Sequence, residues 1–600
     1  MNILEIGITK SASGFVNFSP FVYKLKPAGF QLADYWVTIF GATDESNDKI
    51  IRVKHFTRAS VNNYTSVDSL VDCQATEQSF FFDFENQDLY IHFEHDQNPL
   101  TDSYQYTISI GYTDSQGVVY IDNIEYLPII KSIPPISQQA SIVGYDKQAY
   151  VNGTVVLSNV NGIMDFLIKE NVYGNDADLF YYDGTTLTPL ASFYIEDYDF
   201  TLQSVSINVQ DKRKAENPII PENTFTGYPD MKDSFIGKPI YLAYGAIREI
   251  PCTPLNGEAS GNVDFKACES LTSFGTTQVL IDDIWTTKTP TVSDLGTATF
   301  TLASADVRET SGAVRKVKLV DPIGEVITYA SDVIKALNLR ILGIPFVSSF
   351  YNLTEWTVEE TALSPIGILI DKERPLNDWI KDIQGGANIG FRYEITPDGK
   401  RTIRVRDNYR ASSVFIPRVP IFNNDLLPVK TDSDTVYAEV KVRYGKSYES
   451  GDILSVLNND YKDHVIASYR QRKRLTVDTF LTSSAYADDR AVNDALDFSE
   501  IRPNATLRIV GTEYLGLKIY EVITVELEQP DREYFGTREA LILSIAPEGR
   551  TQTNILQVRL LDFVSTQKVI DGGDSLTEYN WYDSGDSTTD YDYIDGGSSE

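Results

Sequence analysis

Alternation of apolar and polar positions is the main signal along the chain. YWVTIFG (35–41), IIRVKHF (50–56) and YQYTISIGY (104–112) mix β-branched and aromatic residues at near period-two spacing, with polar turns at 41–48 and 113–117 between them. QSFFFDFENQDLYIHFEH (78–95) reads as a hairpin turning at Asn86, Gln87 and Asp88, and Pro134-Pro135 predicts a linker or a rigid entry. GTVVLSN, DLFYYDG, FYIEDYDF and LQSVSINVQDKR continue as strands through residue 215. In the last of these Val205, Ile207 and Val209 share a face. A short helix is expected at 163–170, after the Asn161-Gly162 turn.

Proline then changes the picture. Pro218, Pro221, Pro229 and Pro239 break any long element between 216 and 245. GKPIYLAYGAIREIPC reads as two strands split at Gly245, short strands follow to about 320, and VRKVKLVDP (315–322) reads as the entry to a new unit. The period becomes helical in IGEVITYASDVIKALNL, where Val326, Ala330, Val333 and Leu337 fall on one face. PLNDWIKDI opens with Pro375, suited to a first helical turn, and TPDGK (396–400) predicts a hairpin between strands at 388–392 and 402–406. In TVYAEVKVRYGK, Val436, Ala438, Val440 and Val442 alternate with Tyr437, Glu439, Lys441 and Arg443. One helix, capped by Ser483 or Ser484, is expected before four closing strands.

The pattern divides the chain into a β-rich unit at 1–135, a second at 136–230, a β-rich insertion at 231–320 opening with Gly-Lys-Pro-Ile, a mixed α+β unit at 321–430, a β-rich unit with one helix at 431–565, and a tail at 566–600. The fold class is mainly β with minor helices, a β/α+β multidomain chain. Its 36 Tyr and 29 Phe among 600 residues reinforce the sheet reading.

A formal net charge of −33 argues against gripping nucleic acid, which takes Lys and Arg to replace phosphate counterions. Cys73, Cys252 and Cys268 cannot all pair within one chain, so no disulfide framework is expected and a reducing origin fits. No leader peptide and no membrane-spanning run are read in the sequence. His55, His92, His95 and His464 lack metal-ligand spacing, and neither a phosphate loop nor a nucleophile elbow is present. Glu196, Asp197 and Asp199 in YIEDYDF could serve a glycosidase cleft, but also any solvated face, and sequence alone does not give the separation an acid–base pair needs. No catalytic residue, cofactor or metal ligand is nominated, and the chain is read as not an enzyme.

The tail repeats. Asp571, Asp583 and Asp595 stand twelve apart, each preceded by Ile or Tyr, and 569–600 holds no Lys or Arg. Two readings fit: an acidic disordered segment, or a row of short extended pieces closed by Gly turns and ordered on a partner. The Asp-Gly turns match neither the EF-hand spacing nor the nonapeptide calcium repeat.

MKDSFIGKPIYLAYGAIREIPC (231–252) resembles the hub proteins of long-tailed bacteriophages, in which Gly-x-Pro-Ile leads into an apolar run, an aromatic-Gly pair, Ile-Arg and Pro. Here these are Gly237, Pro239, Ile240, Tyr244, Gly245, Ile247, Arg248 and Pro251. Gly245 would supply a bulge or a close backbone approach. Asn159, Gly162, Asp165, Tyr173, Gly174, Asp211 and Pro221 fit the unit before it, and 431–565 resembles a tube-like domain. The chain departs at Tyr520-Glu521, where relatives carry a Gly-Asp turn. The resemblance covers about 140–600. It implies tube-like β-barrel domains with inserted smaller domains, in a homotrimer at the distal end of a virion tail, assembled in the bacterial cytoplasm. Two barrel-like domains per subunit would form a pseudo-sixfold ring. The partners implied are the distal tail protein, the tape-measure protein and tail fibres or a central spike, with DNA only passing through. Trp581, Tyr582, Tyr593 and Ile594 would be the tail's anchors. A contractile-tail version of the hub, a carbohydrate-binding adhesin or fibre protein, and a tail-associated hydrolase are the alternatives.

Overall fold

A computed structural model describes strand backbones within residues 2–139 and, with short breaks, residues 152–561. The strand expected at 35–41, Pro134-Pro135, the helix expected at 163–170 (Met164 apart) and the tail from 566 lie outside the described residues. The fold is mainly β with minor helices, built from curled sheets around an α+β core.

The longest sheet has thirteen strands. Its first part runs Ile130–Ser132, Asn152–Ser158, Ser204–Asp211, Leu187–Phe200, Asp176–Tyr182. Strand Asn2–Ser11 follows, paired on its far side with Gln105–Thr113, so one sheet carries strands from both of the first two segments of the chain. The hairpin read at 78–95 is present as Ser79–Asp83 paired with Asp88–His92.

A seven-stranded sheet forms the insertion, in the order Ile284–Thr287, Thr276–Ile281, Val317–Val320, Glu249–Pro254, Val263–Lys266, Thr299–Leu302, Val292–Asp294. Its two edge strands are consecutive in sequence. Seven flat strands would set those edges ~29 Å apart at ~4.8 Å per spacing, while the chain from 287 to 292 spans at most ~18 Å. The sheet therefore curls, closing on Ile250, Val263, Phe265, Phe300 and Leu319. Val317–Val320 sits in the middle of this sheet, so 315–322 completes the insertion and does not open the next unit.

The helices gather in the central core. Ala330–Leu342, Leu353–Glu360, Leu376–Gly385 and Ser484–Phe498 surround Trp356, Trp379, Tyr351 and Tyr393. Helix Ala330–Leu342 starts later than its period predicts. Ala330, Val333 and Leu337 are buried, but Val326 lies before the helix and is 73% exposed. The start is set by Asp332, whose carboxylate accepts from the backbone N–H of Thr328 and Tyr329, both at 2.8 Å. Ser483 caps the Ser484–Phe498 helix by accepting from Tyr486 N–H, and Phe391–Ile395 pairs with Arg401–Val405 across the TPDGK turn. Val436, Ala438, Val440 and Val442 are buried as their alternation predicts, yet Val440 and Val442 pack with Ala487, Ala491 and Ala495 against the tryptophan core. A second helix in this region, Lys462–Tyr469, was not expected: only Val465 is buried on it, so it carries no apolar period.

The last sheet runs Val414–Ile416, Val522–Glu526, Thr537–Glu548, Thr553–Leu560, Asn504–Val510, Val429–Lys430. Gln138–Gln139 pairs with Thr537–Glu548 and ties it to the first part of the chain.

Candidate functional site

The first and last sheets repeat one arrangement. In chain order the four strands Asn152–Ser158, Asp176–Tyr182, Leu187–Phe200 and Ser204–Asp211 lie side by side as first, fourth, third, second. Asn504–Val510, Val522–Glu526, Thr537–Glu548 and Thr553–Leu560 do the same, and every pairing is antiparallel in both sets. The registers match pair for pair. Asn152 faces Gln210 as Asn504 faces Arg559, and Asp176 faces Tyr194 as Val522 faces Leu541. Ile195 faces Val209 as Ile542 faces Val558, and each long third strand then bulges before Asp197 and Ser544 resume the ladder.

The turn entering the second strand also repeats. Gly174 has φ 74° and Tyr520 has φ 62°. Gly174 N–H donates to the Ile195 carbonyl and Ile195 N–H to the Asn175 carbonyl, both at 2.8 Å. Tyr520 N–H donates to the Ile542 carbonyl at 2.8 Å and Ile542 N–H to the Glu521 carbonyl at 3.0 Å. The left-handed turn thus survives where a tyrosine replaces glycine. Its strain of about 1 kcal/mol is offset by burying the Tyr520 ring, 3% exposed, in the core of the last sheet. Both sets turn matching positions inward: Ala177, Leu179, Ile195, Ile207 and Val209 in one, Ile523, Val525, Ile542, Leu556 and Val558 in the other.

The residues at 237–248 form a crossing between the central core and the insertion. Strand Leu242–Tyr244 pairs with Ile368–Ile370. Leu242 and Tyr244 point into the tryptophan core, while Ala243 and Ile247 point into the insertion's core. The chains approach so closely that side chains are excluded. A Cβ at Gly245, which has φ 68°, would lie 2.0 Å from the Ile366 carbonyl oxygen, and one at Gly367 would lie 1.7 Å from that of Ala246. The close approach expected at Gly245 is thus present. Gly237 turns the chain at φ 79°, donating its N–H to the Phe225 carbonyl at 2.9 Å, and Pro239 bridges to Thr224. Arg248 reaches the Gly445 carbonyl at 3.4 Å.

Buried and half-buried ion pairs link both repeated sheets to the central core. On the first, Arg213 is held by Asp211 and donates to the Tyr393 carbonyl at 3.2 Å, while Arg401 pairs with Glu216 at 2.5 Å. On the last, Arg559 and Arg406 each meet Asp497 at 3.2 Å, and Lys518 meets Glu355 at 2.9 Å beside Arg404. Burial pushes the Asp497 carboxyl up, but Arg559, Arg406 and Arg502 outweigh it and hold the group below the usual range. Glu355 is also low, its burial outweighed by Lys518 and Arg404. Burial brings Arg559 down to about 10. The charges on these residues look like surface charges in the sequence, which is why their structural role was missed.

Trp581, Tyr582, Tyr593 and Ile594 lie outside the described residues, as do Cys73 and His95. Among the described residues, no group of three or more His, Cys, Asp and Glu could hold a metal ion. No helix among them is long and apolar enough to cross a membrane. Cys252 and Cys268 are free thiols, and His464 is largely exposed, 3.9 Å from Glu500.

No protein-family model matches the chain, and no curated protein does. Among solved structures, it is similar to the tail protein from Neisseria meningitidis MC58, at 11% identity and TM-score 0.36, covering 74% of this chain and 96% of that one. It is similar to the prophage MuSo2 43 kDa tail protein from Shewanella oneidensis, at 10% identity and TM-score 0.35, covering 74% and 97%. A third is prophage tail protein gp18 from Listeria monocytogenes EGD-e, at 8% identity and TM-score 0.35, covering 74% and 93%. At these scores the likeness carries no assignment of function.

Proposed function

We propose that the chain is a structural hub of a phage tail tip, a homotrimer that joins the tail tube to fibres or a central spike and gates genome passage. The observation that carries this reading is the sheet built twice with one register in a single subunit. A closed ring needs like surfaces at like positions. Three such chains supply six like sheets, so a trimer can meet a sixfold tube on one side and threefold partners on the other. The ion pairs link each sheet to the core, as a load-transmitting ring requires.

In this reading the ring contacts the distal tail protein and the tape-measure protein above and fibres or spike below. The tail at 566–600 serves as a docking arm anchored by Trp581, Tyr582, Tyr593 and Ile594. The net charge of −33 keeps passing DNA from adhering, since like charge repels. Light scattering behind size exclusion tests the assembly. A particle of about three times the 67.3 kDa subunit is expected, with a threefold ring in negative stain. A strict monomer that also fails to form a ring on purified tail tubes would overturn the reading.

A further inference from the structure

Several basic residues among those described point into ion pairs. In the run 212–214, Lys212 meets Asp176, Arg213 meets Asp211 and Lys214 meets Glu196. The run 470–474 is different. Arg470 closes helix Lys462–Tyr469 at φ 54°, and Arg470, Arg472 and Arg474 are all exposed. Arg474 shares Glu439 with Lys462, whereas Arg470 and Arg472 make no ion pair with any described residue. The run leads into strand Arg474–Asp478, which among the described residues pairs with Glu439–Tyr444 alone and has no neighbour on its other edge.

The same chain carries the complement. Residues 569–600 hold nine Asp or Glu and no Lys or Arg, with four Tyr and one Trp interspersed among them. The described chain that leads to this segment ends near the basic run. Strand Thr553–Leu560 ends with Leu560 N–H bonded to the Pro503 carbonyl at 2.9 Å, and Ile501, two residues before, packs with Val465 and Tyr469 of the helix that Arg470 closes. Ten extended residues beyond 560 reach ~35 Å, ample to pass from there to the arginines.

We infer that residues 569–600 dock on the basic run 470–474 of their own chain and lie along the open edge of Arg474–Asp478. Exposed ion pairs are individually weak, but tethering raises the local concentration of the tail to about the millimolar range, so several together hold it at low salt. The contact keeps the aromatic pieces on the subunit until a partner surface displaces them. It stands apart from the trimeric reading, because it needs only one chain.

Carbodiimide cross-linking of the full-length protein, read by peptide mass spectrometry on a mixture of light and isotope-labelled chains, tests it. Links from Lys473 or Lys462 to tail carboxylates within one chain are expected, falling about tenfold between ~0.05 M and ~1 M salt as screening shortens the Debye length. The R470E/R472E variant should lose them to a similar degree, and the salt series on the unaltered protein gives the same reading without relying on the variant's folding. Links only between chains overturn docking on the tail's own subunit. Absent links, or links indifferent to salt, overturn the proposal altogether.

Discussion

Gly237 and Gly245 sit in one motif and share a left-handed backbone, at φ 79° and 68°, but differ in what surrounds them. A Cβ at Gly237 meets nothing within 4 Å, so Gly237→Ala carries only the conformational penalty, about 1 kcal/mol. A Cβ at Gly245 would lie 2.0 Å from the Ile366 carbonyl oxygen, with the next carbon at 3.1 Å and an Ile327 side-chain carbon at 3.2 Å. Gly245→Ala adds to the same penalty a separation of two paired strands by about 1 Å, in the range of 1–3 kcal/mol for overpacking. The sum is about 2–4 kcal/mol. Urea unfolding followed by tryptophan fluorescence suits the comparison, because Trp356 and Trp379 lie in the core beside this crossing. Gly245→Ala should lower stability by at least 1 kcal/mol more than Gly237→Ala. Equal losses would refute the idea that Gly245 is required by the close approach of these two strands.

Other consequences concern the seams and the tail. Arg559→Met removes one partner from the buried Asp497 and should cost about 3 kcal/mol by the same assay. Asp497 and Glu355 have lowered pKa values in the folded chain. Their contribution is therefore full above the ordinary carboxylate pKa of about 4 and is lost as pH falls through the lower folded value. Thermal unfolding across pH 2 to 7 should show that acid loss, and Asp497→Asn should flatten it. Tyr520→Gly relieves about 1 kcal/mol of strain but deletes a buried ring worth about 3, so a net loss near 2 kcal/mol is expected in urea. Deleting 566–600 should leave the unfolding midpoint unchanged while abolishing fibre or spike attachment in a binding assay; unchanged attachment would contradict the docking role.

Much of the fold was legible because local patterns report local surroundings. Val205, Ile207 and Val209 alternate and are buried; Ser483 is the cap; Gly245 marks a close approach. What lies across the interface was not legible. The alternation at 436–442 says that one face is covered, not that Trp356 and the Ser484–Phe498 helix help cover it. The repeated sheet stayed hidden for a related reason. Its two halves share hydrogen-bond register, which the backbone sets, and few residues: Val205 corresponds to Asn554, and Gly174 to Tyr520. Asn554 is buried and keeps its place by donating to the Tyr514 carbonyl at 2.8 Å, a contact no periodicity announces. Helix Lys462–Tyr469, with one buried side chain, had no signal to read.

The most direct test of the trimeric hub is a density map of the tail tip in intact particles. Three chains should close one ring in which the sheets carrying Asn152–Ser158 and Asn504–Val510 alternate at equal radius, about 60° apart, giving six like densities beneath a sixfold tube. Sheets at unlike radii, or a ring built from six copies of the chain, would contradict it.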